Sequence, residues 1–138
     1  MSGDSATPLA KKLGIKVGHR VLMVDAPSGH ESILAPLPEA ARVMRSTDDE
    51  PYDVIMVFAT EFTRLTELFR EAAARLVPNG GLWICWPKQA STKPTDLDGN
   101  IIREYGLSTG LVDNKVCVVD ETWSGLRFVI RLENRPRK

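Results

Sequence analysis

The chain has 138 residues, enough for one domain with its own core and too few for two. Hydrophobic residues make up 43% and charged residues 26%, the balance of a globular domain, so neither a disordered chain nor a disulfide scaffold is expected. Lys plus Arg equals Asp plus Glu at 18 each, which leaves no global field to draw in nucleic acid or an anionic membrane.

The N-terminus has no apolar signal core, and no apolar run approaches membrane-spanning length, so a cytoplasmic protein is expected. Cys85 and Cys117 each sit inside an apolar run and read as buried small hydrophobes. No spacing resembles a zinc site, so no metal is expected.

In chain order, residues 1–6 are small and polar and are expected to be disordered. Thr7-Pro8 reads as a helix start, with Thr7 as N-cap, and Gly14 as its stop. Arg20 to Val24 is a short buried strand. Residues 29–38 hold a short helix limited by Pro36 and Pro38, and Ala41 to Arg45 a short strand. Tyr52 to Phe58 is the clearest strand, and its unbroken apolar run predicts cover on both faces. Thr60 is expected to cap a helix of about sixteen residues, with Phe62, Leu65, Phe69, Ala72 and Leu76 at helical spacing. Pro78-Asn79-Gly80-Gly81 ends it, and Leu82 to Trp86 is the next strand. A helix capped by Thr95 or Asp96 runs to about Ser108. Strands at Lys115–Val119 and Leu126–Leu132 close the chain as a hairpin through Asp120–Gly125. The domain spans residues 7–132, and residues 133–138 form a basic tail. Alternating strands and helices with a terminal hairpin predict an α/β sandwich.

Leu13-Gly14-Ile15-Lys16-Val17-Gly18-His19-Arg20-Val21-Leu22 resembles the entry to the first strand of class I S-adenosylmethionine-dependent methyltransferases. Tyr52-Asp53-Val54-Ile55 resembles their fourth strand, and Leu76 to Ile84 the segment leading into their fifth. Together with Thr7-Pro8-Leu9-Ala10, Trp86-Pro87-Lys88 and Asp120 to Leu126, the pattern also looks like a small bacterial family known only as a domain of unknown function. The resemblance implies a single-domain Rossmann-like three-layer sandwich of about six mostly parallel strands. Arg45 to Tyr52 leaves no room for the third strand of the full fold.

The same resemblance exposes replaced residues. Met23 stands where the family has an acid at the end of the first strand. Asp25, Pro27 and Gly29 stand at its three loop glycines, where small residues let the backbone approach the cofactor. Met44-Arg45-Ser46 replaces the ribose-binding acid of the second strand, with Asp48 and Asp49 just beyond. Ala59-Thr60-Glu61 carries no amine-methylation motif. A working S-adenosylmethionine site is therefore not the favoured expectation. It stays open as an atypical loop in which Asp25, Asp48 or Asp49 meets the cofactor.

Ligands of open α/β sheets bind beyond the carboxyl ends of the parallel strands. That edge is expected to gather Asp25, Ser28, Lys88, Asp120, Glu121 and Trp123. Lys88, Asp120 and Glu121 are the catalytic candidates, and Asp25, Ser28, Gly29, Lys88, Trp123 and Ser124 the ligand-binding ones. Simpler roles stand beside these. Trp86 and Trp123 suit packing, Lys88 suits an ion pair with Asp120 or Glu121, and Asp25 suits a helix cap. Ser28 and Ser124 have no histidine at a useful spacing, which argues against a serine hydrolase. His19 belongs to the opposite edge. His30 follows the altered loop and could reach the candidate edge, but an exposed helix start is the favoured reading. Three functions remain: a small-ligand or partner-binding domain without methyl transfer, an atypical methyltransferase, and a homodimerisation module using a sheet edge left by the missing strand.

Overall fold

The computed structural model describes residues 7–135. The expected disorder of residues 1–6 and the last three residues of the basic tail lie outside the described residues. Six strands form one sheet: β1 (Arg20–Val24), β2 (Arg42–Met44), β3 (Tyr52–Phe58), β4 (Leu76–Pro87), β5 (Leu111–Val118) and β6 (Trp123–Ile130), in the order β2-β1-β3-β4-β6-β5. The first four are mutually parallel, and β6 runs antiparallel between β4 and β5. Among the described residues no strand lies beyond β2, as the short stretch of residues 45–52 predicts.

The apolar runs explain the layers. Successive strand side chains point to opposite faces, so a run without polar gaps needs cover on both. Ile55, Val57, Leu82 and Ile84 pack with Leu65 and Phe69 of α2 (Phe62–Ala74) and Ile102 of α3 (Gly99–Ser108). Val54, Met56, Phe58, Trp83 and Cys85 face the other way. They pack with Ala10 of α1 (Leu9–Lys12), with Leu13 and with Leu34 of the short 3-10 turn His30–Leu34. Trp83 is fully buried there, and its Nε1 donates to the Leu13 carbonyl at 3.0 Å. Both cysteines are free and buried, and burial pushes the Cys85 thiol well above its ordinary pKa.

Several boundaries differ from expectation. The first helix begins at Leu9 with Pro8 in the N-cap position. α2 has 13 residues, not about sixteen, and Glu61 rather than Thr60 occupies its N-cap position. Neither Thr95 nor Asp96 caps α3. Asp98 does, accepting from the Ile101 amide at 2.9 Å. β4 starts at Leu76 instead of Leu82. Leu76 pairs with Tyr52 and Gly81 with Val54, so residues 77–80 bulge opposite the single residue Asp53. The Pro-Asn-Gly cluster read as a helix stop is that bulge. After β6, Arg135 Nε donates to the Ile130 carbonyl at 2.9 Å and holds the start of the basic tail against the strand.

Candidate functional site at the carboxyl edge of the sheet

The loop after β1 contains Asp25 with a left-handed backbone, φ 58°, and Gly29, φ 74°. Asp25 does not cap the following turn, whose N-cap position is Gly29. Its carboxylate instead takes both forks of the Arg64 guanidinium on α2, at 2.8 and 3.2 Å. Ser28 is exposed, and the Gly29 carbonyl accepts from the Ser32 hydroxyl at 3.0 Å.

Arg45, immediately after β2, reaches across the same loop. It donates to the Ala26 carbonyl at 2.8 Å and the Pro27 carbonyl at 2.6 Å, and its guanidinium forks onto Glu31. The hydrogen bond from Arg45 holds the Glu31 carboxyl down at about 2. A guanidinium thus stands where the sequence resemblance leads one to expect an acid, with the loop's outward carbonyls turned to it.

On the hairpin, Asp120 Oδ1 accepts from the Thr122 and Trp123 amides at 2.8 and 2.9 Å, which closes the turn. Asp120 Oδ2 lies 3.0 Å from His30 Nε2, off the line of a good hydrogen bond. His30 is not the exposed residue expected from the sequence, since its side chain is only 16% exposed. It meets the edge of Phe58 at 5.4 Å, and Phe58 meets Trp123 at 5.1 Å. Trp123 is buried, Ser124 half-buried and Glu121 exposed. The only sequence signal for His30 was its place directly after the altered loop.

Lys88 is half-buried, and its amide donates to the Thr122 carbonyl at 2.8 Å. Backbone, not charge, therefore ties this loop to the hairpin. Among the described residues no ion pair joins Lys88 to Asp120 or Glu121. Lys88 lines a pocket of about 440 Å³ with Trp86, Ser91, Lys93, Asp96 and Asp98. The edge thus holds two groups: the His30–Asp120–Trp123 cluster and the Lys88 pocket. Asp25 is committed elsewhere, to α2. Among the described residues no group of three or more His, Cys, Asp or Glu could hold a metal ion, and no helix is long and apolar enough to cross a membrane.

The chain matches no family model and no curated protein. Solved structures do resemble it. One is an SAM-dependent methyltransferase from Aquifex aeolicus, 17% identical, with 89% of this chain and 88% of that chain covered and a TM-score of 0.62. A second is DhpI in complex with SAH, 15% identical over 97% of this chain and 86% of that one, TM-score 0.61. A third is magnesium protoporphyrin IX methyltransferase from Synechocystis PCC 6803 with bound SAH, 11% identical over 93% and 81%, TM-score 0.59. The fold is the class I methyltransferase fold in a single small domain, without the third strand among the described residues.

Proposed function

We propose that this domain uses the methyltransferase fold to bind a small ligand at the carboxyl edge of its sheet, without transferring methyl groups. The observation that carries this reading is Arg45. Its guanidinium engages the Ala26 and Pro27 carbonyls and Glu31, filling with the protein's own charges the crevice between the first and second strands. Met23 and Pro27 fit S-adenosylmethionine no better: neither supplies an acid, and Pro27 has fixed φ and no amide hydrogen. The ligand's place is the Lys88 pocket, where two cationic residues, Lys88 and Lys93, border the same space as Trp86, Asp96 and Asp98. A polar molecule with both donor and acceptor groups suits that lining.

Calorimetric or thermal-shift titration with S-adenosylmethionine and S-adenosylhomocysteine tests the reading. A ligand present at 100 times its dissociation constant stabilises the native state by about 2.7 kcal/mol. The expected result is no shift with either compound, and a saturable shift overturns the proposal. The second reading, an atypical methyltransferase, is favoured by one observation: two of the similar structures carry SAH.

A further inference from the structure

At the opposite edge of the sheet, a pocket of about 290 Å³ is lined by Lys12, Lys16, Lys115 and Arg127, with His19 and Asp53. Nothing local in the sequence marks the four cations as a group, because they come from three separate segments: Lys12 and Lys16, Lys115, and Arg127. Asp53 is the only carboxylate in the lining, and it already accepts the Arg20 amide at 2.9 Å. Among the described residues none of the four cations has an ion-pair partner. Lys115 Nζ donates to the Lys12 carbonyl at 3.0 Å, which fixes it beside the end of α1.

Arg127 is the least ordinary of the four. It projects from β6 across β4, and its guanidinium lies over Gly81, where any Cβ would collide with it. Its hydrogen bond to Asn114 Oδ1 is long, at 3.4 Å. Burial and the neighbouring Arg135 lower its pKa, yet a guanidinium stays charged at any ordinary pH. A half-buried cation normally acquires a counter-charge, because desolvation without one is costly. Here three lysines border the same space instead. Their repulsion is relieved by an anion, and the flat guanidinium offers paired donors to an oxyanion.

We infer that this pocket binds a small, multiply charged phosphate compound, held by Arg127 and surrounded by Lys12, Lys16 and Lys115. The volume suits one or two phosphate groups with a small organic part. This site is separate from the carboxyl-edge pocket and does not depend on the function proposed for it.

Pyrophosphate and inorganic phosphate serve as probes, titrated calorimetrically into the full chain against sodium chloride of equal ionic strength. Saturable binding at one site, tighter for pyrophosphate, is expected. Arg127→Met is expected to weaken pyrophosphate binding by about tenfold or more, the scale of a lost charged hydrogen bond. In pyrophosphate-free buffer the same variant is expected to melt no lower than the parent, since it removes a half-buried charge lacking a partner. Should that variant fail to fold, the double variant Lys12→Ala/Lys16→Ala carries the test and is expected to lose affinity. Absence of saturable heat overturns the inference. So does unchanged affinity in the variant that folds. Tighter binding of a short single-stranded RNA than of pyrophosphate, with a steep salt dependence, overturns it in favour of an extended nucleic-acid surface.

Discussion

Gly106 shows how one residue sets the distance between two layers. It lies buried in α3 against Phe128 of β6, and a Cβ there would overlap the phenyl ring. Phe128 is fully buried and is itself held edge-on to Phe69 at 5.3 Å, so it has nowhere to go. Alanine in place of glycine favours an exposed helix by about 1 kcal/mol. Overpacking a filled core costs about 1–3 kcal/mol. The steric effect wins, and Gly106→Ala is expected to lower the urea midpoint while leaving the helical circular dichroism of the native state unchanged. Sequence alone gives no hint of this, because a glycine inside an amphipathic run reads only as a weak helix residue. Arg45 is similar: its type and position after β2 were visible, but its partners 14–19 residues earlier were not.

At the level of elements, the existence of the strands was legible, but the ends of β4, β5 and β6 and the helix caps were not. Apolar runs at Arg20–Val24 and Tyr52–Phe58 are local patterns, and the fold follows them closely. A cap is a relation between two places. The sequence offers Thr95 or Asp96 as the cap of α3, yet Asp96 Oδ1 accepts from the Phe62 amide at the start of α2. Thr95 donates to the Thr60 carbonyl at 2.7 Å and accepts from the Leu97 amide at 3.0 Å. The two residues therefore tie the start of α2 to the loop before α3, and Asp98 does the capping. Asp98→Ala is expected to cost about 1 kcal/mol in chemical denaturation, the usual value of an N-cap. The link between the β1 loop and β2 carries a pH signature of its own. Glu31 drops from an ordinary value of 4.5 to about 2 on folding because of Arg45. A carboxyl whose folded pKa is depressed stabilises the native state above its unfolded pKa, and that contribution disappears as pH falls through the folded value. Stability is therefore expected to decline between about pH 4.5 and 2. Thermal melts of Glu31→Gln over that window should fall less steeply than those of the parent.

Across the whole molecule, the topology that made the fold readable also brought distant groups together at the two sheet edges. The zero net charge conceals this: four cations share a pocket at one end, while at the other end ion pairs tie the loop after β1 to Arg45 and to α2. Topology correctly brought Lys88 and the hairpin to one edge, but their link is an amide bonded to a carbonyl, which side-chain reasoning does not find. The longest connection at that edge is His30–Asp120, which joins the loop after β1 to the β5–β6 turn over the ends of β3 and β4, with Phe58 and Trp123 beneath. Asp120 therefore has two roles that substitution separates. Asp120→Ala removes the acceptor of two turn amides as well as the charge beside His30, and an unsatisfied buried group costs about 1–3 kcal/mol. Asp120→Asn keeps an oxygen for the amides and removes only the charge. If the turn is the larger contribution, Asn should stay near the parent in urea denaturation while Ala falls by that amount. Equal losses in both variants would instead assign the stability to the charge facing His30, and the connection across the sheet would be electrostatic.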